Sequence, residues 1–205
     1  MDNLGLSPGK DCLKELQAAY SQPQRHYHNA AHVNACLAEL DRTRNELESP
    51  DIVEIAIWFH DAIYDARASD NEEKSADWAE CFLTENGGDP AAGDTVRRLI
   101  MATQHEFPSD DVDAQVLADI DLSILGAPES CCDVYESAIR LEYRHVPDRL
   151  FRTGRAKVLS DFLNRSAIFQ RRSFAQRYEE QARSNLRRAL NALACRGAKC
   201  LTEDS

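Results

Sequence analysis

A chain of 205 residues with 24 Lys and Arg against 35 Asp and Glu carries a formal charge of −11 at neutral pH. That length suits one domain that buries a core without staples, and the acidic balance argues against long nucleic acid as a partner. No apolar run reaches membrane-spanning length, and the start Met1-Asp2-Asn3-Leu4-Gly5 lacks the basic-then-apolar pattern of a secretory signal, so a cytoplasmic protein without a membrane partner is expected.

Almost every periodic segment reads as helix. Asp11–Tyr20 is a short one, ended by Ser21-Gln22-Pro23, and Asn29 is a fitting N-cap for Ala30–Glu46. Ser49-Pro50 opens the next, Asp51 to about Tyr64, with Pro where its missing N–H is harmless. Asp70 with Glu73 resembles a capping box at the start of Asn71–Thr84, which Asn86-Gly87-Gly88 ends. Asp89-Pro90 starts a helix to about Gln104, Phe107-Pro108-Ser109 breaks the chain, and Asp111–Leu125 follows, stopped by Gly126-Ala127-Pro128. Glu129–His145 precedes Val146-Pro147, and Asp148–Arg196 carries one or two long helices with a break near Asn164–Ser166. Residues 197–205 are expected to be a disordered tail. No alternating strand pattern, repeat or low-complexity linker is visible, so the expected fold is an all-α bundle.

Charge is unevenly spread. Residues 1–139 hold 9 Lys and Arg against 28 Asp and Glu, whereas residues 140–200 hold 15 against 5. Most of the later arginines read as solvated faces of long helices. The seven cysteines form an odd set with no C-x-x-C pair, which argues against a disulfide framework and against a cysteine zinc site. Most of them read as ordinary helix or core residues.

Chemistry is concentrated at a few places. His60-Asp61 closes the apolar run Ile52, Val53, Ile55, Ala56, Ile57, Trp58, Phe59, and ionisable groups set against such a run need a partner or a metal. Arg25-His26-Tyr27-His28-Asn29-Ala30-Ala31-His32 holds three histidines, of which His28 and His32 stand four apart and share a helical face. Imidazole and carboxylate are good ligands for divalent ions, and Ala118-Asp119-Ile120-Asp121-Leu122 supplies two more carboxylates. Asp121 has the more apolar helical neighbours and is chosen as the ligand. Asp119 is kept as the alternative, and reads more readily as a solvated or outer-shell carboxylate.

The ordered set His32, His60-Asp61, Asp121 resembles the HD superfamily of metal-dependent phosphohydrolases, and in particular a bacterial group of predicted HD phosphohydrolases. The stretches that carry the resemblance are Arg25-His26-Tyr27-His28-Asn29 with His32, Trp58-Phe59-His60-Asp61-Ala62-Ile63-Tyr64-Asp65, Asp70-Asn71-Glu72 with Ser75-Ala76, Asp119 to Gly126, and Glu142-Tyr143. The resemblance implies one HD-type helical domain over residues 1–205, with its motif core at about 25–125 and further helices over 129–196. It implies a divalent metal ion (Mn, Fe, Co, Ni, Zn or Mg) held by His32, His60, Asp61 and Asp121. His28 matches the histidine that protonates the leaving oxygen in the cyclic-nucleotide phosphodiesterase branch, but that branch's next histidine is absent, Asp65 standing four residues after Asp61.

Asp65 is a candidate for orienting or deprotonating water. Arg25 is a candidate phosphate clamp, since guanidinium binds phosphate in two-pronged fashion. His105 is a candidate for a second metal or for substrate, and Glu72 for substrate or the outer shell, or simply for the start of its own helix. Arg144, Arg152, Arg155 and Lys157 are weaker phosphate candidates, each read first as a solvated face. The expected function is hydrolysis of a phosphate ester of a small, nucleotide-like substrate, with self-association left open. A di-iron oxygenase on the same bundle and a non-catalytic nucleotide-binding regulator are the alternatives. No glycine-rich phosphate loop, Walker pattern or G-x-S-x-G elbow is present.

Overall fold

The computed structural model describes residues 10–105 and 108–200, and all regular structure in them is helical. The helices are α1 (Lys10–Tyr20), α2 (Ala30–Thr43), α3 (Pro50–Phe59), α4 (Asn71–Glu85), α5 (Pro90–Ala102), α6 (Val112–Leu122), α7 (Glu129–Glu142), α8 (Asp148–Asn164) and α9 (Arg172–Cys200), with short 3₁₀ turns at Arg44–Glu46 and Ser123–Gly126. The expected all-α class is what the chain adopts. No helix among the described residues is long and apolar enough to cross a membrane. Two compact units are present, one ending at Asp121 and the other beginning at Leu122.

In the first unit α3 is the central element. Ile52, Val53, Ile55, Ala56, Ile57 and Phe59 are all buried, and a helix apolar on nearly every side must be enclosed by others. Helices α2, α4 and α5 pack against it. Phe59 meets Trp78 and Phe82 of α4 edge-on and tilted, at ring separations of 5.7 and 5.3 Å. The start of α3 is fixed from α6, since the buried Asp113 carboxylate accepts the backbone N–H groups of Glu48 and Ser49 at 2.8 and 2.9 Å. Asn29 caps α2 as expected, accepting from Ala31 N–H at 2.9 Å.

The end of α4 follows its sequence closely. Gly87 takes φ +75°, the left-handed conformation that glycine adopts without a Cβ penalty. Gly88 N–H then reaches the Leu83 carbonyl at 2.8 Å and Gly87 N–H the Thr84 carbonyl at 3.2 Å, the two bonds of a Schellman end.

Some boundaries differ from expectation. Helix α3 stops at Phe59 rather than near Tyr64. Residues 61–63 instead bond to distant side chains: Arg25 takes the Asp61 and Ala62 carbonyls, while Ser75 Oγ accepts from Ile63 N–H at 3.0 Å and lies 3.3 Å from its carbonyl. Asp70 makes no capping hydrogen bond; its carboxylate pairs with Lys74 one turn on, at 2.9 Å. Helix α9 continues to Cys200, so the first part of the expected tail is helical. Residues 201–205, and Phe107 of the expected chain break, lie outside the described residues.

The second unit holds the turn Ser123–Gly126 and α7, α8 and α9, with the α8–α9 break where it is expected. Glu179 accepts the N–H groups of Ile168 and Phe169, and Arg183 donates to the carbonyls of Leu163 and Arg165, so α9 pins the connection before it. Asn185, fully buried, donates to the Leu125 and Ala127 carbonyls at 2.8 Å each. Between those two carbonyls Gly126 lies so close to Tyr178 that a Cβ would stand 2.5 Å from the tyrosine Cβ and 2.8 Å from its backbone oxygen.

Candidate metal centre

Four chain segments of the first unit deliver the polar cluster. Helix α2 carries His32 and Cys36 on one face. The end of α3 carries His60, and Asp61 follows it. The last turn of α6 carries Asp121, the final residue of the unit. The turn after α5 carries His105, whose backbone takes φ +55°, a left-handed conformation uncommon outside glycine.

The ligand atoms converge. His32 Nε2 lies 3.1 Å from His60 Nε2, 3.5 Å from Asp61 Oδ2 and 3.2 Å from Asp121 Oδ1. His60 Nε2 lies 3.1 Å from Asp61 Oδ2 and 3.8 Å from Asp121 Oδ1. Donors bound at 2.0–2.2 Å to one ion stand about 3.0–3.5 Å from each other, so this spacing fits an ion at their centre. A buried set of one atom each from His32, Cys36, His60 and Asp121 lies within 4.8 Å of one another and could hold a metal ion. The His60 ring is oriented for that role. Its Nδ1–H donates to the Ile57 carbonyl at 2.9 Å, which leaves Nε2 as the nitrogen facing the cluster.

Electrostatics bind these groups into one unit. Burial pulls the His60 imidazole down, but Asp61 and Asp121 outweigh it and raise it to about 9. His32 is likewise held well above its ordinary value, burial being overcome by Cys36 and Asp121. Burial alone would raise the two carboxyls. His60 and His28 instead lower Asp61, and His105 and His32 lower Asp121 well below the usual range. The imidazoles and carboxylates thus stabilise one another's charged forms, and a divalent ion at their centre would compete with protons for the same ring nitrogens.

The other candidates are distributed as follows. His105 Nε2 is 2.8 Å from Asp121 Oδ2, so it meets the cluster through the carboxylate oxygen that faces away from His32. His28 stacks on Tyr64 with ring centroids 4.1 Å apart and stands edge-on to His32 at 6.1 Å. Arg25 is buried, and its guanidinium is committed: Nε donates to Gln22, Nη1 to the carbonyls of His28 and Asp61 at 3.2 and 2.5 Å, and Nη2 to that of Ala62 at 2.8 Å. It braces the His-Asp turn between the Tyr20 and Tyr64 rings, where the sequence suggests a phosphate clamp. Tyr20 donates to the Trp58 carbonyl at 3.0 Å, and burial and then Asp61 hold its phenol well above its usual range.

Two expected neighbours are not brought into the cluster. Because α3 ends at Phe59, Asp65 is not one helical turn beyond Asp61. It is exposed, and its carboxylate accepts from Arg67 N–H at 2.9 Å. Glu72 lies half-buried in the first turn of α4 and makes no ion pair with the cluster among the described residues. In the second unit Arg152 pairs with Asp148 and Lys157 with Asp161. Arg155 departs from the expected solvated face: its side chain is 10% exposed, held in a two-pronged pair with Glu136 and over the Tyr135 ring.

Asp119 is fully buried while the Asp121 side chain is 20% exposed, the reverse of what their helical neighbours suggest. Cys36 is the cluster member that sequence reading passes over as an ordinary core residue. The signal for it is its position four residues after His32, the same spacing that singles out His28. Comparison with protein-family models, with curated proteins and with solved structures finds no match to this chain.

Proposed function

We propose that the chain is an HD-type metal-dependent phosphohydrolase acting on a phosphate ester of a small, nucleotide-like molecule. The observation that carries this reading is the convergence of His32 Nε2 and His60 Nε2, 3.1 Å apart, each of which lies 3.1–3.8 Å from both Asp61 Oδ2 and Asp121 Oδ1, together with the order of these residues along the chain. Two imidazoles and two carboxylates make a mixed N and O set suited to a divalent transition ion, and four protein donors leave room for water and a phosphoryl oxygen on an ion that expands its coordination. When bound, the ion supplies Lewis-acid stabilisation of phosphoryl charge and lowers the pKa of water.

The protein's own groups do the positioning. The Ile57 carbonyl fixes the His60 tautomer, and His105 orients Asp121. Arg25 holds the Asp61 backbone against the entry of α2. His28 stacks on Tyr64 and stands edge-on to His32, where it would serve as the proton donor to the departing oxygen. Asp65, exposed and bonded to Arg67 N–H, and Glu72, in the first turn of α4, take no part in this arrangement.

The test is metal analysis of the purified protein, followed by hydrolysis assays on nucleotides and simple phosphate mono- and diesters with and without chelator. Activity is expected to require the ion and to fall by about 100-fold or more in His60→Ala, since even outer-shell changes cost 10–100-fold. Hydrolysis indifferent to both chelator and the substitution would overturn the reading.

A further inference from the structure

We infer that Cys36 is an additional ligand to the ion, through Sγ, and that it makes the centre select zinc, cobalt or iron over magnesium. The inference rests on the metal-centre reading above and deepens it.

Cys36 is 3% exposed and sits one turn after His32 on the same face of α2. Its sulfur lies 3.8 Å from both ring nitrogens of His32 and within 4.8 Å of the ligand atoms of His60 and Asp121. A cysteine that only fills space in a helical core faces aliphatic neighbours. This one faces two imidazoles and a carboxylate, all of which converge on the same point. Binding would break the S–H bond, form a sulfur–metal bond and release one proton to solvent, with no change of oxidation state. A thiolate is a soft donor that favours zinc, cobalt and iron, whereas magnesium demands oxygen. The four carboxylate and imidazole ligands do not discriminate so sharply, so the thiol is the group that would set the choice.

The experiment is a cobalt(II) titration of the full-length, reduced, metal-free protein, with Cys36→Ser and Cys36→Ala beside the wild type. Visible d–d bands report cobalt in the site, and a near-ultraviolet thiolate-to-cobalt charge-transfer band reports sulfur on the metal. The expected result is both bands in the wild type, with retention of the d–d bands and loss of the charge-transfer band in the variants. Zinc affinity should fall by about tenfold or more in the variants and magnesium affinity should be unchanged. Cobalt uptake by the wild type without a charge-transfer band, or a band that persists in both variants, overturns the thiolate ligand and leaves the metal centre intact. A wild type that takes up no cobalt at all overturns the metal centre itself. The wild-type spectrum distinguishes these outcomes even if one variant fails to fold.

Discussion

His60 gives its Nδ1–H to the Ile57 carbonyl, and that one bond decides which nitrogen is left for chemistry. Arg25 acts on the next residue in the same manner, through backbone rather than substrate. If it braces Asp61 and Ala62, Arg25→Lys removes donors that a single ammonium cannot replace and leaves carbonyls short of partners, each costing about 1–3 kcal/mol. The expected outcome is a weaker ion affinity and a lower urea midpoint, whereas loss of a phosphate clamp would raise KM and leave both unchanged. At this scale the sequence shows His32, His60, Asp61 and Asp121 because residue type and order suffice for them. It does not show Cys36, since a buried cysteine is ordinary in a helix. Nor does it show that Asp119 is the more deeply enclosed of the two carboxylates, because burial depends on helices far away in the chain.

Helix starts are legible in the sequence and helix ends less so. Asn29 and Asp89 cap their helices through local bonds to residues two ahead, and such bonds are written in adjacent positions. The end of α3 is set by Arg25 and Ser75, residues 36 and 12 positions from their backbone partners, and no local pattern encodes that. The beginning of α3 has a long-range tie as well, in Asp113. Asp113→Ala should strand the N–H groups of Glu48 and Ser49 and cost about 1–2 kcal/mol, comparable to loss of a helix cap. A urea unfolding curve with an unchanged midpoint would show that this tie contributes nothing.

Across the whole chain, the all-α class follows from periodicity alone, whereas the division after Asp121 has no linker composition to announce it. Each unit has its own test. In the second, Gly126→Ala would drive a methyl into the Tyr178 backbone, and overpacking of that kind costs about 1–3 kcal/mol; calorimetry should show a lower Tm than wild type. In the first, an ion that binds only the folded state adds about 2.7 kcal/mol at a free concentration about 100 times its Kd. Zinc should therefore raise the Tm, chelator should reverse the rise, and hydrogen exchange should slow in α2, α3 and α6. An unmoved Tm would refute binding at the convergent set.

The place of Asp121 at the very end of its unit also governs when the centre can exist. During synthesis His32 emerges early and His60-Asp61 next, and a shell that uses all four proposed ligands would stay incomplete until the last turn of α6 leaves the ribosome and docks. A nascent chain shorter than that would display imidazoles without their closing carboxylate, so capture of a cation by the proposed centre would mark the moment at which this half of the polypeptide has finished folding.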